Sequence, residues 1–120
     1  NESFPESDTN YKVVLCNWTL HFMEDKFRYL ADISVNLSKD GMLVLTDKTV
    51  NEGIALEQYH KFKLSSGVSP EEVKQKAESL KNVMHIDSVE WYFNTLRALG
   101  FSKIYIANAN WCFTTFVATI

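Results

Sequence analysis

The sequence predicts an α/β fold built on a mixed sheet, with two parallel strands, a helical cap insertion and a C-terminal antiparallel hairpin. Three observations carry this. "YKVVLC" (Tyr11 to Cys16) and "MLVLTD" (Met42 to Asp47) are short apolar runs on either side of a helical stripe. A strand, crossover helix and strand in that order pair in parallel. Helix grammar then runs from residue 51 to 99. Finally, "SKIYIANANWCFTTFVATI" holds two apolar runs with only Asn108, Ala109 and Asn110 between them, a connection that permits only an antiparallel pair.

Taken in order, residues 1–10 ("NESFPESDTN") form a polar, turn-rich leader with nothing to pack, read as a loop that continues from something upstream. Strand 11–16 is β-branched and apolar, suited to cover on both faces. Helix 24–38 carries the stripe Phe27, Leu30, Ile33 and Leu37 and stops at Lys39, Asp40 and Gly41, with Gly41 as the terminating residue. Strand 42–47 follows. Helix 51–64 places Ala55, Tyr59 and Phe62 on one side, although Gly53 weakens its start. Helix 69–84 opens with Ser69 as cap, Pro70 at the first helical position and Glu72 closing a capping box, ahead of the stripe Val73, Ala77, Leu80 and Met84. Helix 88–99 repeats the pattern with Asp87 as cap, Glu90, the apolar Val89, Phe93 and Leu96, and Gly100 at its end. Strands 103–108 and 111–119 close a single domain over residues 11–120, with no internal repeat.

Composition excludes several classes. The 120 residues are 46% hydrophobic and 22% charged, as in a globular domain, and 12 basic against 15 acidic residues give a net charge of −3. That balance exerts no global pull toward nucleic acid or an anionic membrane. No apolar run approaches the ~20 residues of a membrane helix, and no signal-peptide pattern is present, so the chain reads as cytoplasmic. Cys16 and Cys112 sit in apolar runs and read as buried free thiols rather than a disulfide or metal pair. The sequons at Asn1, Asn17 and Asn36 read as chance matches to a short pattern. Scattered glycines make no phosphate loop, and His21, His60 and His85 share no metal-ligand spacing. No nucleophile elbow occurs.

The informative stretch is "CNWTLHF". In an open α/β sheet, ligands bind beyond the carboxyl ends of the parallel strands. Asn17, Thr19 and His21 lie at that end of the first strand, and Thr46, Asp47 and Lys48 at that end of the second. The two polar clusters are expected to face one crevice. The plainer alternative is that Asn17 and Thr19 cap the next helix and His21 lies on a loop. His60 and Lys63, about a turn apart, either project toward an acceptor or an RNA phosphate or belong to a solvated helical face. Trp18, Trp91 and Trp111 read as core or interface residues rather than base-stacking platforms.

These residues also carry a family resemblance. The strand, "NWTLHF", helix and "DGMLVL" together resemble the fourth and fifth strands of class I S-adenosylmethionine (SAM)-dependent methyltransferases. Further on, "YHKFKLSSGVSPEEVKQKAESLKNVMHIDSVEWYFNTLRALGF" is similar to the C-terminal half of carboxy-S-adenosylmethionine synthase and related tRNA wobble-uridine-modifying proteins. Shared positions include Asn17, Thr19, Leu20, Phe22, Lys48, His60, Lys63 and the "NVM" and "DSVE" runs, and the likeness spans Tyr11 to Ile120. It implies SAM as cofactor, with Asn17, Thr19, Leu20, His21 and Phe22 flanking its methionine and sulfonium region. The helices from Asn51 to Met84 would then cap the substrate side, where Lys48, His60 and Lys63 are the candidates. Donor and acceptor would be held in line, with proximity as the main source of rate and no catalytic residue singled out.

Two departures shape the functional expectation. Synthase-like proteins place an arginine just after the Gln-Lys of the capping helix, where it binds the extra carboxylate of the modified cofactor; here Gln75-Lys76 is followed by Ala77. Without that guanidinium the bidentate carboxylate partner is gone, which favours ordinary methyl transfer. The family's first three strands, with the glycine-rich cofactor loop and the acidic ribose ligand, lie N-terminal to anything in this sequence. The chain therefore reads as half of a methyltransferase, inactive alone, completed by the missing N-terminal half or a second copy, and acting on a small-molecule or tRNA-related acceptor. The alternative is a stand-alone binding or assembly module that dimerises through the open Tyr11 to Cys16 edge, since an unpaired apolar edge invites another chain.

Overall fold

The computed structural model describes residues 3–49, 61–80, 84–110 and 112–120, with backbone alone at 77–80. The expected helix over 51–64 lies outside these up to residue 60, and residues 61–65 are helical. The elements run β1 (Tyr11–Asn17), a 3-10 turn (Leu20–Phe22), α1 (Lys26–Asn36), β2 (Leu37–Lys48), α2 (Pro70–Leu80), α3 (Val89–Ala98), β3 (Lys103–Asn110) and β4 (Phe113–Thr119). They form one four-stranded sheet in the order β1-β2-β4-β3. β1 and β2 are parallel, and β4 is antiparallel to both β2 and β3. Three strands thus point one way, with β4 set between two of them.

Alternation decides which face is covered. Val14 and Cys16 of β1, Leu43, Leu45 and Asp47 of β2, and Thr114, Phe116 and Ala118 of β4 are buried on one face. Leu30 and Ile33 of α1 and Tyr92 and Leu96 of α3 share that core. On the other face Leu15, Val44, Val117 and Tyr105 stand side by side across all four strands. Leu15 is 67% exposed and Tyr105 61% on this face. The expectation that β1 is covered on both faces is corrected accordingly: it is an edge strand with one buried face.

Other details depart from the sequence reading for identifiable reasons. Gly41 does not terminate α1. It lies inside β2, buried, where a Cβ would sit 2.6 Å from Leu37 Cγ and 2.8 Å from the Ser38 carbonyl oxygen. The chain bulges there, since Tyr11 pairs with Leu37 but Val13 already pairs with Met42. The leader is not without packing: Phe4 meets Tyr11 and Tyr29 edge-on, each at 5.7 Å between ring centroids, and Ser7 donates its N–H to Asn36. The final turn falls two residues later than expected. β3 continues through Asn108 and Ala109 after an irregularity at Ala107, and Asn110 pairs with Phe113.

Of the expected helix ends, Ser69 and Gly100 are as the sequence reading has them, while Gly41 and Asp87 are not. Asp25 accepts the N–H of Arg28 at the start of α1, and Ser69 accepts that of Glu72 at α2. At α3 the cap is Ser88, accepting from Trp91, whereas the expected cap, Asp87, is drawn to Lys26. Gly100, at φ 99°, then supplies the left-handed residue that ends α3, with Phe101 N–H reaching back to Leu96.

Candidate active site at the carboxyl ends of two parallel strands

β1 delivers the chain to a turn that is held from two sides. Trp18 adopts φ 57°, an uncommon conformation for a bulky residue, while its N–H extends the β1/β2 ladder to Thr46 at 2.7 Å. Its ring is 62% exposed and leans on Phe113 at 5.9 Å. Thr19 turns its hydroxyl back to the Asn17 carbonyl, and Leu20 is fully buried in the core. The expected site residues are thereby separated. Asn17 and Thr19 are exposed, Phe22 is half exposed, and Leu20 can offer a ligand only its backbone. Trp18 does not join the core, Trp91 is half-buried, and Trp111 lies outside the described residues.

The two polar clusters expected in one crevice are divided by the pleat. Asn17, Thr46 and Lys48 occupy the open side, where Thr46 bonds Thr115 at 2.9 Å and Lys48 Nζ approaches Met84 Sδ at 4.0 Å. His21 and Asp47 are on the covered side and meet directly: His21 Nδ1 contacts Asp47 Oδ1. The second carboxylate oxygen accepts the Tyr92 hydroxyl at 2.7 Å. Asp47 is 0% exposed and His21 5%. Lys63 is half-buried on the helical stretch 61–65, and His60 lies outside the described residues.

A charged pair braces the contact of His21 with Asp47. Lys26, buried on the first turn of α1, pairs with Asp87, donates to the His85 carbonyl at 2.6 Å and lies over the Trp91 ring at 5.0 Å. His85 N–H in turn bonds the His21 carbonyl, and Thr49 bridges to Asp87 beside the end of β2. The segment before α3 is therefore laced across the strand ends, seating Tyr92 against Asp47.

Burial governs the titration behaviour here. Tyr92 is raised above its ordinary range by desolvation first, then by the Asp47 charge and the hydrogen bond it donates there, so the phenol keeps its proton. Burial pushes the Cys16 thiol up to about 11, opposed by a hydrogen bond from Thr19 and assisted by Asp47. Cys16 and Cys112 are both free and buried, as expected. Among the described residues no cluster of histidine, cysteine and carboxylates could hold a metal, and no helix is long and apolar enough to cross a membrane.

Chemically, when the imidazole is neutral, a carboxylate facing Nδ1 selects the tautomer with its proton there, and the Nε2 lone pair is then the basic site. Exposed aromatic rings at Trp18 and Phe22 offer a surface suited to a sulfonium cation. Asp47 and Asp87, the carboxylates described at this end, are already engaged with His21, Tyr92 and Lys26 and are not available to a ribose diol. The residues present fit one wall of a SAM site. Sequence reasoning had placed Asp47 at the crevice but missed Lys26 and Tyr92. A signal existed: Lys26 stands in the stripe with Leu30 and Ile33, and Asp47 continues the alternation of Leu43 and Leu45, so both polar groups occupy positions that the pattern buries.

The strand order, with one antiparallel strand inserted among parallel ones, is that of a partial Rossmann-like methyltransferase fold. The fold matches a SAM-dependent methyltransferase of Thermotoga maritima with a TM-score of 0.68 at 18% identity, over 98% of this chain and 59% of that one. It matches PigF with SAH at 0.64 and 17% identity, over 99% of this chain and 32% of that one. In sequence the chain is similar to carboxy-S-adenosyl-L-methionine synthases: 36% identical over 102 residues to that of Actinobacillus pleuropneumoniae, 37% over 103 to that of Mannheimia succiniciproducens and 38% over 102 to that of Hamiltonella defensa. Each alignment takes 79% of this chain, which spans 40 to 42% of those relatives' length. No protein-family model matches the chain.

Proposed function

We propose that this chain is the C-terminal half of a SAM-dependent methyltransferase, that its strand ends form the acceptor-side wall, and that His21 is the general base. The contact of His21 Nδ1 with the buried Asp47 carboxylate carries this reading. SAM, when bound, supplies an electrophilic methyl group. His21 Nε2 takes the proton that the acceptor loses as its lone pair forms the new bond, and Asp47 stabilises the resulting imidazolium. Trp18 and Phe22 would flank the sulfonium, and Asn17 and Thr19 would hold the methionine portion. Lys48, His60 and Lys63 belong to the substrate side, for a small-molecule or tRNA-related acceptor.

Ordinary methyl transfer is favoured over carboxy-cofactor synthesis, because Ala77 stands where the synthase-like pattern has an arginine. The open face with Leu15, Val44, Val117 and Tyr105 supports a second half docking on this one. That half is N-terminal sequence or, in the second reading, another copy pairing along β1 as a binding module or homo-oligomer. Two buried free thiols suit a reducing, cytoplasmic setting.

The test is calorimetric titration of SAM into this chain alone and into the chain joined to an N-terminal methyltransferase half, with oligomeric state measured in the same buffer. Binding only by the joined protein supports the half-enzyme. Binding by a dimer of the chain alone supports self-completion, and no binding by a folded joined protein refutes the methyltransferase reading.

A further inference from the structure

We infer that Tyr92 is a positioning residue for His21, acting through Asp47. The inference rests on His21 being the base and asks what keeps it one. A buried carboxylate has two oxygens and a free rotor, and an imidazole has two nitrogens. Unless the carboxylate is held, His21 can flip its ring, exchange tautomers or lose its partner, and each event removes the Nε2 lone pair from the acceptor side.

The geometry assigns one oxygen to each neighbour. Oδ1 takes His21 Nδ1, and Oδ2 accepts the Tyr92 hydroxyl at 2.7 Å. With Oδ2 so held, rotation of the carboxyl group breaks two contacts at once. Tyr92 is itself fixed: it is fully buried, its ring lies 5.3 Å from Phe116 and meets Trp91 edge-on at 5.0 Å, and α3 is tethered by Asp87 to Lys26. The ring alone would fill that volume. The hydroxyl serves nothing but the carboxylate among the described residues, and its raised titration range keeps it a donor.

The experiment reads the tautomer directly. In the uniformly 15N-labelled chain, the imidazole nitrogens of His21, assigned by loss in His21→Gln, should show a proton on Nδ1 and a bare Nε2. Tyr92→Phe, which keeps the ring, should convert this to a mixture of tautomers while His85 is unchanged. A pure Nδ1–H tautomer in both proteins overturns the role of Tyr92 and leaves His21 as the base. A neutral wild-type His21 with its proton on Nε2 and a bare Nδ1 overturns the base itself. Should Tyr92→Phe fail to fold, 3-fluorotyrosine labelling decides instead. It keeps the ring and hydroxyl and makes the phenol a stronger donor to Asp47, so it should weaken the contact of Asp47 with His21 and shift the Nδ1–H resonance upfield; an unmoved resonance overturns the inference.

Discussion

Lys26, buried at the start of α1, is paired with the partly exposed Asp87, the residue just before the Ser88 cap of α3. Two helices that share no strand are joined by this pair beneath the strand ends. Removing one partner of a buried ion pair leaves the other uncompensated, whereas replacing both by apolar groups restores much of the loss. Asp87 keeps about a third of its side chain in solvent, which softens the penalty. Lys26→Met should destabilise the chain by about 2–3 kcal/mol, and Lys26→Met with Asp87→Leu by clearly less, read from denaturant midpoints.

Asp47→Asn preserves shape but presents His21 with an amide. On the proposed function, methyl transfer by the chain joined to an N-terminal methyltransferase half should fall by roughly 10²- to 10⁴-fold, the usual worth of an acid–base group. SAM affinity should be unchanged in calorimetry. A comparable loss of SAM binding would place Asp47 in cofactor binding instead.

Gly41→Ala places a methyl group within 2.8 Å of a carbonyl oxygen and closer still to Leu37. Overpacking of this kind costs roughly 1–3 kcal/mol. Thermal unfolding of the variant should show it, and an unchanged midpoint would mean that the bulge relaxes freely.

Stability should fall between about pH 9 and 11. Cys16 titrates near 9 when unfolded and at about 11 in the fold, so across that window the unfolded state releases a proton that the folded state retains. The contribution is intact below pH 9 and is lost as pH climbs to 11, amounting to about 3 kcal/mol. Tyr92 adds loss of the same sign at higher pH. Cys16→Ala should flatten the first part of the slope in denaturation curves taken at successive pH values.

Trp18 holds a left-handed backbone that asparagine tolerates better. Because its ring is largely in solvent, Trp18→Asn should stabilise the chain by about 1 kcal/mol. If the ring lines the sulfonium site, the same change should weaken SAM binding by the chain joined to an N-terminal methyltransferase half. A gain in stability with no loss of affinity would show the strain to be unconnected with the cofactor.

Much of the fold was legible in the sequence because local rules agreed there. Apolar runs set the strands, Ser69 and Gly100 marked helix ends, and the resemblance in "NWTLHF" and "DSVE" pointed to the same mixed sheet that the strand order displays. The errors arose where tertiary contact overrode local signals. Gly41 looked like a helix stop, but its missing side chain serves a close backbone approach. Asp87 looked like a cap, but a buried lysine claims its charge. The pleat explains the divided site, since neighbours in sequence such as Asp47 and Lys48 point to opposite faces. Tyr92 could not be tied to His21 from periodicity, because a hydrogen bond across that separation depends on how α3 is docked.

The placement of β4 has a consequence for how the chain is made. β2 is available early, yet its partner on one side is the last of the four strands to leave the ribosome. Until residue 119 emerges, β2 and β3 have no strand between them, and each presents an unpaired border to its surroundings. Such long-range pairing is slow and prone to wrong partners. Nascent chains stalled before Phe113 should accordingly bind chaperones that release the protein once β4 has slotted into place.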